Sequence, residues 1–197
     1  PNEDAGKWER TVQVITLIAS LLQKQRDALG LFEVNDADAQ FFESSNKEEN
    51  IQLLLHNIRG LQERQIGNEI FLDQLETLHS RIPKRSQILI FTDIYHQDAA
   101  ALVQSLSKFK HANHHVRLML MYSEQFEIDG KGLSGHQVID HETGKKTYLK
   151  EEEVRRYTTF CKEQLSTLEF TSRGAGITID ALNVDEDHVV LPRKLLA

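Results

Sequence analysis

Asp93 is the best-placed chemical group in the chain. It closes the stretch Ser86-Gln87-Ile88-Leu89-Ile90-Phe91-Thr92-Asp93, in which four large apolar residues follow a polar lead-in. Such a run reads as a short strand buried on both faces, the kind found inside a parallel sheet. In open α/β sheets ligands sit outside the carboxyl ends of the strands. A carboxylate placed there can hold a metal ion, accept a phosphoryl group, or cap the helix that begins near Gln97. On the residues alone the helix cap is the plainer reading of Asp93. Thr92 puts a hydroxyl beside the carboxylate, and His96 and Asp98 follow closely enough to line the same rim.

Other residues of chemical interest carry simpler explanations. Asn68-Glu69 could offer two oxygens to a metal, but Asn is also an excellent helix N-cap. His111, His114 and His115 form an H-x-x-H-H cluster near a predicted helix end. Imidazole suits transition metals, yet positive charge at a helix C-terminus is the plainer reading. Cys161 falls on the apolar face of a predicted helix, where a buried, inert thiol is the default. No Ser-His-Asp spacing, G-x-S-x-G, P-loop or G-x-G-x-x-G occurs. Gly130-Lys131-Gly132 and Gly135 do not lie between a strand and its helix, so a phosphate cradle is not expected there.

Composition narrows the class. The chain has 197 residues, 40% of them apolar and 27% charged, with a net charge of −7. That length and apolar content suit one domain with its own core. The acidic balance argues against a general nucleic-acid binder, whose footprint is basic. One cysteine allows no internal disulfide, which suits a reducing compartment, and a cytoplasmic location is the expectation. No apolar run approaches the roughly 20 residues of a membrane helix, and no signal peptide is visible. The chain opens on Pro1, which reads as a fragment or a trimmed chain.

The elements that must position Asp93 follow from periodicity. Trp8, Val12, Ile15, Ile18, Ala19 and Leu22 keep helical spacing. Strands are expected over 29–34 and 39–42, around a turn at Asn35-Asp36. Two overlapping capping boxes, Ser45/Glu48 and Asn46/Glu49, are expected to open a helix burying Ile51, Leu54, Leu55, Ile58 and Leu61. A further helix begins at Asn68, buries Phe71, Leu75, Leu78 and Ile82, and is closed by Pro83. After the Ile88–Phe91 strand come a helix over 97–110, a strand over 116–122 and a long helix over about 151–173. Glu151-Glu152-Glu153 make a favourable first turn for that helix, and Gly174 or Gly176 ends it. A last strand covers 177–182. Between the second apolar strand and the long helix, 123–150 is polar and glycine-rich, with a β-hairpin expected near 136–150. Strands alternating with helices imply βαβ units and a mainly parallel sheet.

The order of these pieces resembles the DUF58 family, whose C-terminal part is a von Willebrand factor A-like domain. The stretches that carry the likeness are Gly6-Lys7-Trp8-Glu9, Gln25 to Leu31, Gly67-Asn68-Glu69-Ile70, Ile90-Phe91-Thr92-Asp93, Asp140-His141-Glu142-Thr143-Gly144, Arg155-Arg156-Tyr157, and Gly176 to Asp185. The resemblance spans nearly the whole chain. It implies a three-layer, doubly wound, mainly parallel sheet with a metal-ion-dependent adhesion site at its top. In such sites Mg²⁺, which takes octahedral oxygen ligands, is held by a D-x-S-x-S loop, a Thr and an Asp. Asp93 matches the Asp, and Asn68 stands at the Thr position. The D-x-S-x-S loop and the first strand would precede Pro1, so the site is incomplete in this chain.

The resemblance implies a non-enzymatic interaction domain with a MoxR-type AAA+ ATPase as partner. The parent protein would be anchored to a membrane upstream. The docking rim would comprise Asn35, Asp36, Glu69, Thr92 and His96 around Asp93. The alternative is a metal-dependent hydrolase or a phospho-acceptor domain using Asp93. A phospho-acceptor needs a lysine at a later strand end, and none is evident.

Overall fold

A computed structural model describes residues 5–34, 39–61, 68–95, 98–135, 137–139 and 146–186. The chain is a mixed α/β structure. Its elements run α1 (Ala5–Gln25), β1 (Leu29–Glu33), β2 (Gln40–Ser45), α2 (Glu48–Gly60), α3 (Asn68–Arg81), β3 (Gln87–Thr92), α4 (Ala99–His111) and β4 (His115–Tyr122). A single π-helical turn over Glu124–Ile128 follows, then β5 (Gln137–Ile139), β6 (Lys146–Tyr148), α5 (Glu151–Ala175) and β7 (Thr178–Asn183). No described helix is long and apolar enough to cross a membrane.

The organising feature is a parallel three-stranded sheet in the order β3-β4-β7. β4 takes the middle, and its run Leu118 to Met121 is buried on both faces. Leu118, Met119 and Leu120 are all fully buried, each worth about 1.5–3 kcal/mol of transfer free energy. Alternation along the strand sends these side chains to opposite faces. Leu118 and Leu120 join Ile88, Ile90, Leu102, Leu106, Phe109, Cys161 and Leu168 in one apolar cluster, contributed by β3, α4 and α5. Met119 and Met121 join Leu182 and Val184 beneath Val14 and Ile18 of α1. Residues of α4 and α5 thus cluster with Leu118 and Leu120, and residues of α1 with Met119 and Met121. Further along, α1 packs on α2, where Ala19 meets Ile51, Leu54, Leu55 and Ile58.

Several expectations need correction. β3 is not the doubly buried strand. Among the described residues it pairs on one edge only, with β4, and Leu89 and Phe91 are half-buried. The first hairpin is antiparallel and forms its own two-stranded sheet. β2 extends through Ser45, which pairs with Leu29. Neither capping box forms. Helix α2 starts at Glu48 behind Lys47, which gives no side-chain cap. Ser45 Oγ instead accepts the Lys47 amide at 3.1 Å and the Asn50 amide group at 3.0 Å. The α3 helix, the β5–β6 hairpin and the αL glycine at the end of α5 stand as expected. Gly176 has φ +66° and hands its N–H back to the last turn. Glu153 accepts the Lys150 amide at 2.7 Å, which anchors the acidic first turn of α5.

Candidate functional site

Parallel strands deliver their carboxyl ends to one rim. Three short segments meet there: 93–95 with Asp98 after β3, 123–129 after β4 and 183–186 after β7. Together they hold Asp93, Asp98, Glu124, Glu127, Asp129, Asp185 and Glu186, with no Lys or Arg. Most of these carboxylates are engaged locally. Asp93 Oδ1 accepts the Tyr95 amide at 3.0 Å, a tight local turn. Asp98 caps α4 by accepting the Ala101 amide at 2.9 Å. The cap of α4 is thus Asp98 and not Asp93, because the helix begins at Ala99, too far along for Asp93 to reach its first amides.

The β4 and β7 ends are stitched together. Ser123 Oγ donates to Asp185 Oδ2 at 2.9 Å, and the Gln125 amide reaches the same oxygen at 2.8 Å. Asn183 accepts the Glu124 amide and donates to Glu124 Oε2 at 2.9 Å. Both residues come straight after apolar strand runs, which was a positional signal available from sequence.

Glu127 lies deeper. It is 5% exposed, yet it is ionisable. Lys7 Nζ, from the first turn of α1, reaches its Oε1 at 2.8 Å, and the Ser123 amide donates to Oε2 at 2.6 Å. A buried carboxylate is tolerated only with such partners. Lys7 also sits 5.3 Å from the centre of the Tyr95 ring, close enough for a cation–π attraction. Tyr95 stacks on Tyr157 of α5 with ring centres 6.3 Å apart, and their hydroxyls are hydrogen-bonded. Tyr95 leaves 37% of its surface open, but its hydroxyl end meets the cluster. Burial pushes its phenol far above the ordinary tyrosine range, and the Glu127 charge adds to the shift. Burial likewise raises the Tyr157 phenol and the Cys161 thiol. Cys161 therefore stays protonated, and its sulfur lies 3.8 Å from the Tyr95 hydroxyl. The thiol is a buried core group, as expected.

The expected rim residues divide into placed and unplaced. Thr92 is the last residue of β3 and is half-buried, as is Asp93. Glu69 is exposed in the first turn of α3. Asn68 begins α3, but its side chain lies outside the described residues, as do Asn35, Asp36 and His96. Among the described residues no group of three His, Cys, Asp or Glu side chains is placed to hold a metal. Asp93 alone does not make an octahedral Mg²⁺ site. The H-x-x-H-H cluster also gathers no metal set. His114 is buried, and its Nδ1 accepts the Ser86 amide at 3.1 Å. Burial lowers its pKa, with neighbouring His79 adding to the effect, so the ring is held neutral and adds no charge to the end of α4.

Sequence reasoning missed Lys7, Tyr95, Ser123, Glu127, Tyr157, Asn183 and Asp185. Lys7 and Glu127 are 120 residues apart and carry no local mark of their pairing.

Neither a family model nor a curated protein matches the chain. Among solved structures it is similar to the conserved hypothetical protein BatB from Bacteroides thetaiotaomicron. The TM-score is 0.54 at 9% identity, covering 96% of this chain and 86% of that one. At that identity the likeness concerns the fold alone.

Proposed function

We propose that the chain is a non-enzymatic interaction domain of von Willebrand factor A type, with a three-layer, doubly wound arrangement. Its carboxyl rim docks a partner protein. The observation that carries this reading is the state of the rim. Three parallel strand ends bring their polar groups to one place, and those groups hold one another in fixed positions. Ser123 donates to a carboxylate already bonded to the Gln125 amide, and Cys161 is a buried protonated thiol. Neither is set up for attack on a substrate. A fixed polar surface built on rigid elements is what recognition requires.

The DUF58 resemblance makes a MoxR-type AAA+ ATPase the first partner to test. Asp93 is the contact residue on which the reading is staked, and Mg²⁺ binding at Asp93 and Asn68 belongs to the same proposal. Asp93→Ala should weaken capture of a MoxR-type ATPase at least about tenfold, roughly 1.4 kcal/mol, and abolish any Mg²⁺ heat seen by titration calorimetry. Unchanged capture and unchanged heats would defeat the rim as a docking site. A phosphodonor that adds one phosphoryl group to Asp93, read by mass, would favour the phospho-acceptor alternative instead.

A further inference from the structure

The opposite end of the sheet carries an arrangement that rim docking does not use. Three loops meet there, ahead of β3, β4 and β7. They are joined by the Ser86 amide on His114 and by Lys110 Nζ, which donates to the Ala175 carbonyl at 2.9 Å. The stretches 81–92, 99–123 and 170–179 contain no Asp or Glu, in a chain with 30 acidic and 23 basic residues. Arg117 is matched by Asp180 and Lys108 by Glu76. Arg81, which lies over the Phe41 ring, Lys84, Arg85, Lys110 and Arg173 remain, with His111 and His115 beside them, all exposed. Of these, Lys110 and His115 wall a cavity of about 480 Å³, together with Gln87, Arg117, Gly176 and Thr178 among others.

Helix C-termini attract cations, and Lys110 and Arg173 answer to the ends of α4 and α5. Lys84 and Arg85 lie beyond the last turn of α3, past the reach of that effect. The patch thus holds more positive charge than helix capping explains. We propose that this amino end docks a short acidic segment of a partner protein, with one carboxylate seated in the cavity beside Lys110 and His115. The Lys110 ammonium uses one of its three donors on Ala175 and keeps the others for a ligand. Gly176 permits this seat, because a Cβ there would overlap the Lys110 ammonium. Charge decides the length of the occupant. A long polyanion such as nucleic acid would run off the patch onto the rest of a chain whose net charge is −7, and like charges repel it. A short acidic peptide meets only the patch.

The test uses the full chain and a fluorescein-labelled peptide of alternating glutamate and serine, followed by anisotropy at low and physiological salt. Binding should be salt-sensitive, as surface electrostatics are. Lys84→Glu/Arg85→Glu, in an exposed loop, should weaken it about tenfold or more without changing the melting temperature. Lys110→Gln should weaken it as well. The proposal is overturned by no wild-type binding at low salt, or by equal affinity in Lys84→Glu/Arg85→Glu. Tighter binding of an oligothymidylate of matched charge would replace the acidic peptide with nucleic acid. Salt-sensitive self-association by sedimentation would replace it with a second copy of the chain. Both results also overturn it.

Discussion

The two ends of the parallel sheet are chemical opposites. The three short segments of the carboxyl rim hold seven acidic residues, with Lys7 paired to Glu127 and Lys131 paired to Asp129. The amino end holds exposed cations in stretches without Asp or Glu, and Asp180 and Glu76 are paired with Arg117 and Lys108. The difference extends below the surface. At the carboxyl rim the charge reaches inward, where Glu127 is buried against Lys7 and Tyr95. At the amino end the buried titratable group is His114, and it is held uncharged. One end locks its elements with a buried ion pair. The other uses neutral contacts inside and leaves its charge in solvent. Charge held at the surface is available to a partner, whereas charge spent in the interior fixes geometry.

The buried Lys7–Glu127 pair is where the two ends differ most deeply. Glu127→Ala leaves Lys7 without its partner in a mostly closed site and deprives the Ser123 amide of its acceptor. Removing one member of a buried pair costs about 3–5 kcal/mol, which denaturant unfolding would read directly. Joint replacement, Lys7→Met with Glu127→Leu, should recover most of that loss. A double variant as unstable as the single one would show that the pair does more than neutralise itself.

At the amino end the largest effect is expected from Gly176→Ala. The residue sits at φ +66° and would press its methyl against the Lys110 ammonium. Left-handed backbone in a non-glycine residue costs about 1–3 kcal/mol, so the melting temperature should fall by several degrees. An unchanged melting temperature would mean that the α5–β7 turn relaxes freely.

The smallest effect sharpens the contrast by pH. The folded pKa of His114 lies below that of the unfolded chain, about 6.5, because the fold favours the neutral ring. Its contribution to stability is complete above pH 6.5. It is lost as pH falls through 6.5 toward the folded value, since the unfolded state then binds the extra proton. Protonating Nδ1 would also remove the acceptor for the Ser86 amide. A melting-temperature series should show a loss beginning below pH 6.5, and His114→Gln should flatten that limb. An identical limb in the variant would assign the loss to other groups.

Much of the architecture was legible because periodicity reports burial locally. The helices α1 to α5, the apolar strands β3 and β4, the hairpin insertion and the glycine cap all fell close to where spacing put them. Capping was less legible. The Ser45/Glu48 and Asn46/Glu49 boxes match the sequence pattern, but Ser45 is drawn into the ladder opposite Leu29, and the helix waits until Glu48. The site was legible only at Asp93, where a carboxylate ends an apolar run.

By itself, then, the sequence determined which segments are helix or strand, since each needs only its own alternation of apolar and polar residues. It also placed Asp93 at a strand end and Gly176 at a helix end, because both roles are local. Tertiary structure decided which apolar strand sits in the middle, because β3 and β4 read alike and only their pairing separates them. It also decided that Lys7 meets Glu127 and that Ser123 meets Asp185. Those contacts join residues 120 and 62 positions apart, and a side chain's partner at such separation is set by packing of the whole chain, not by its neighbours in sequence.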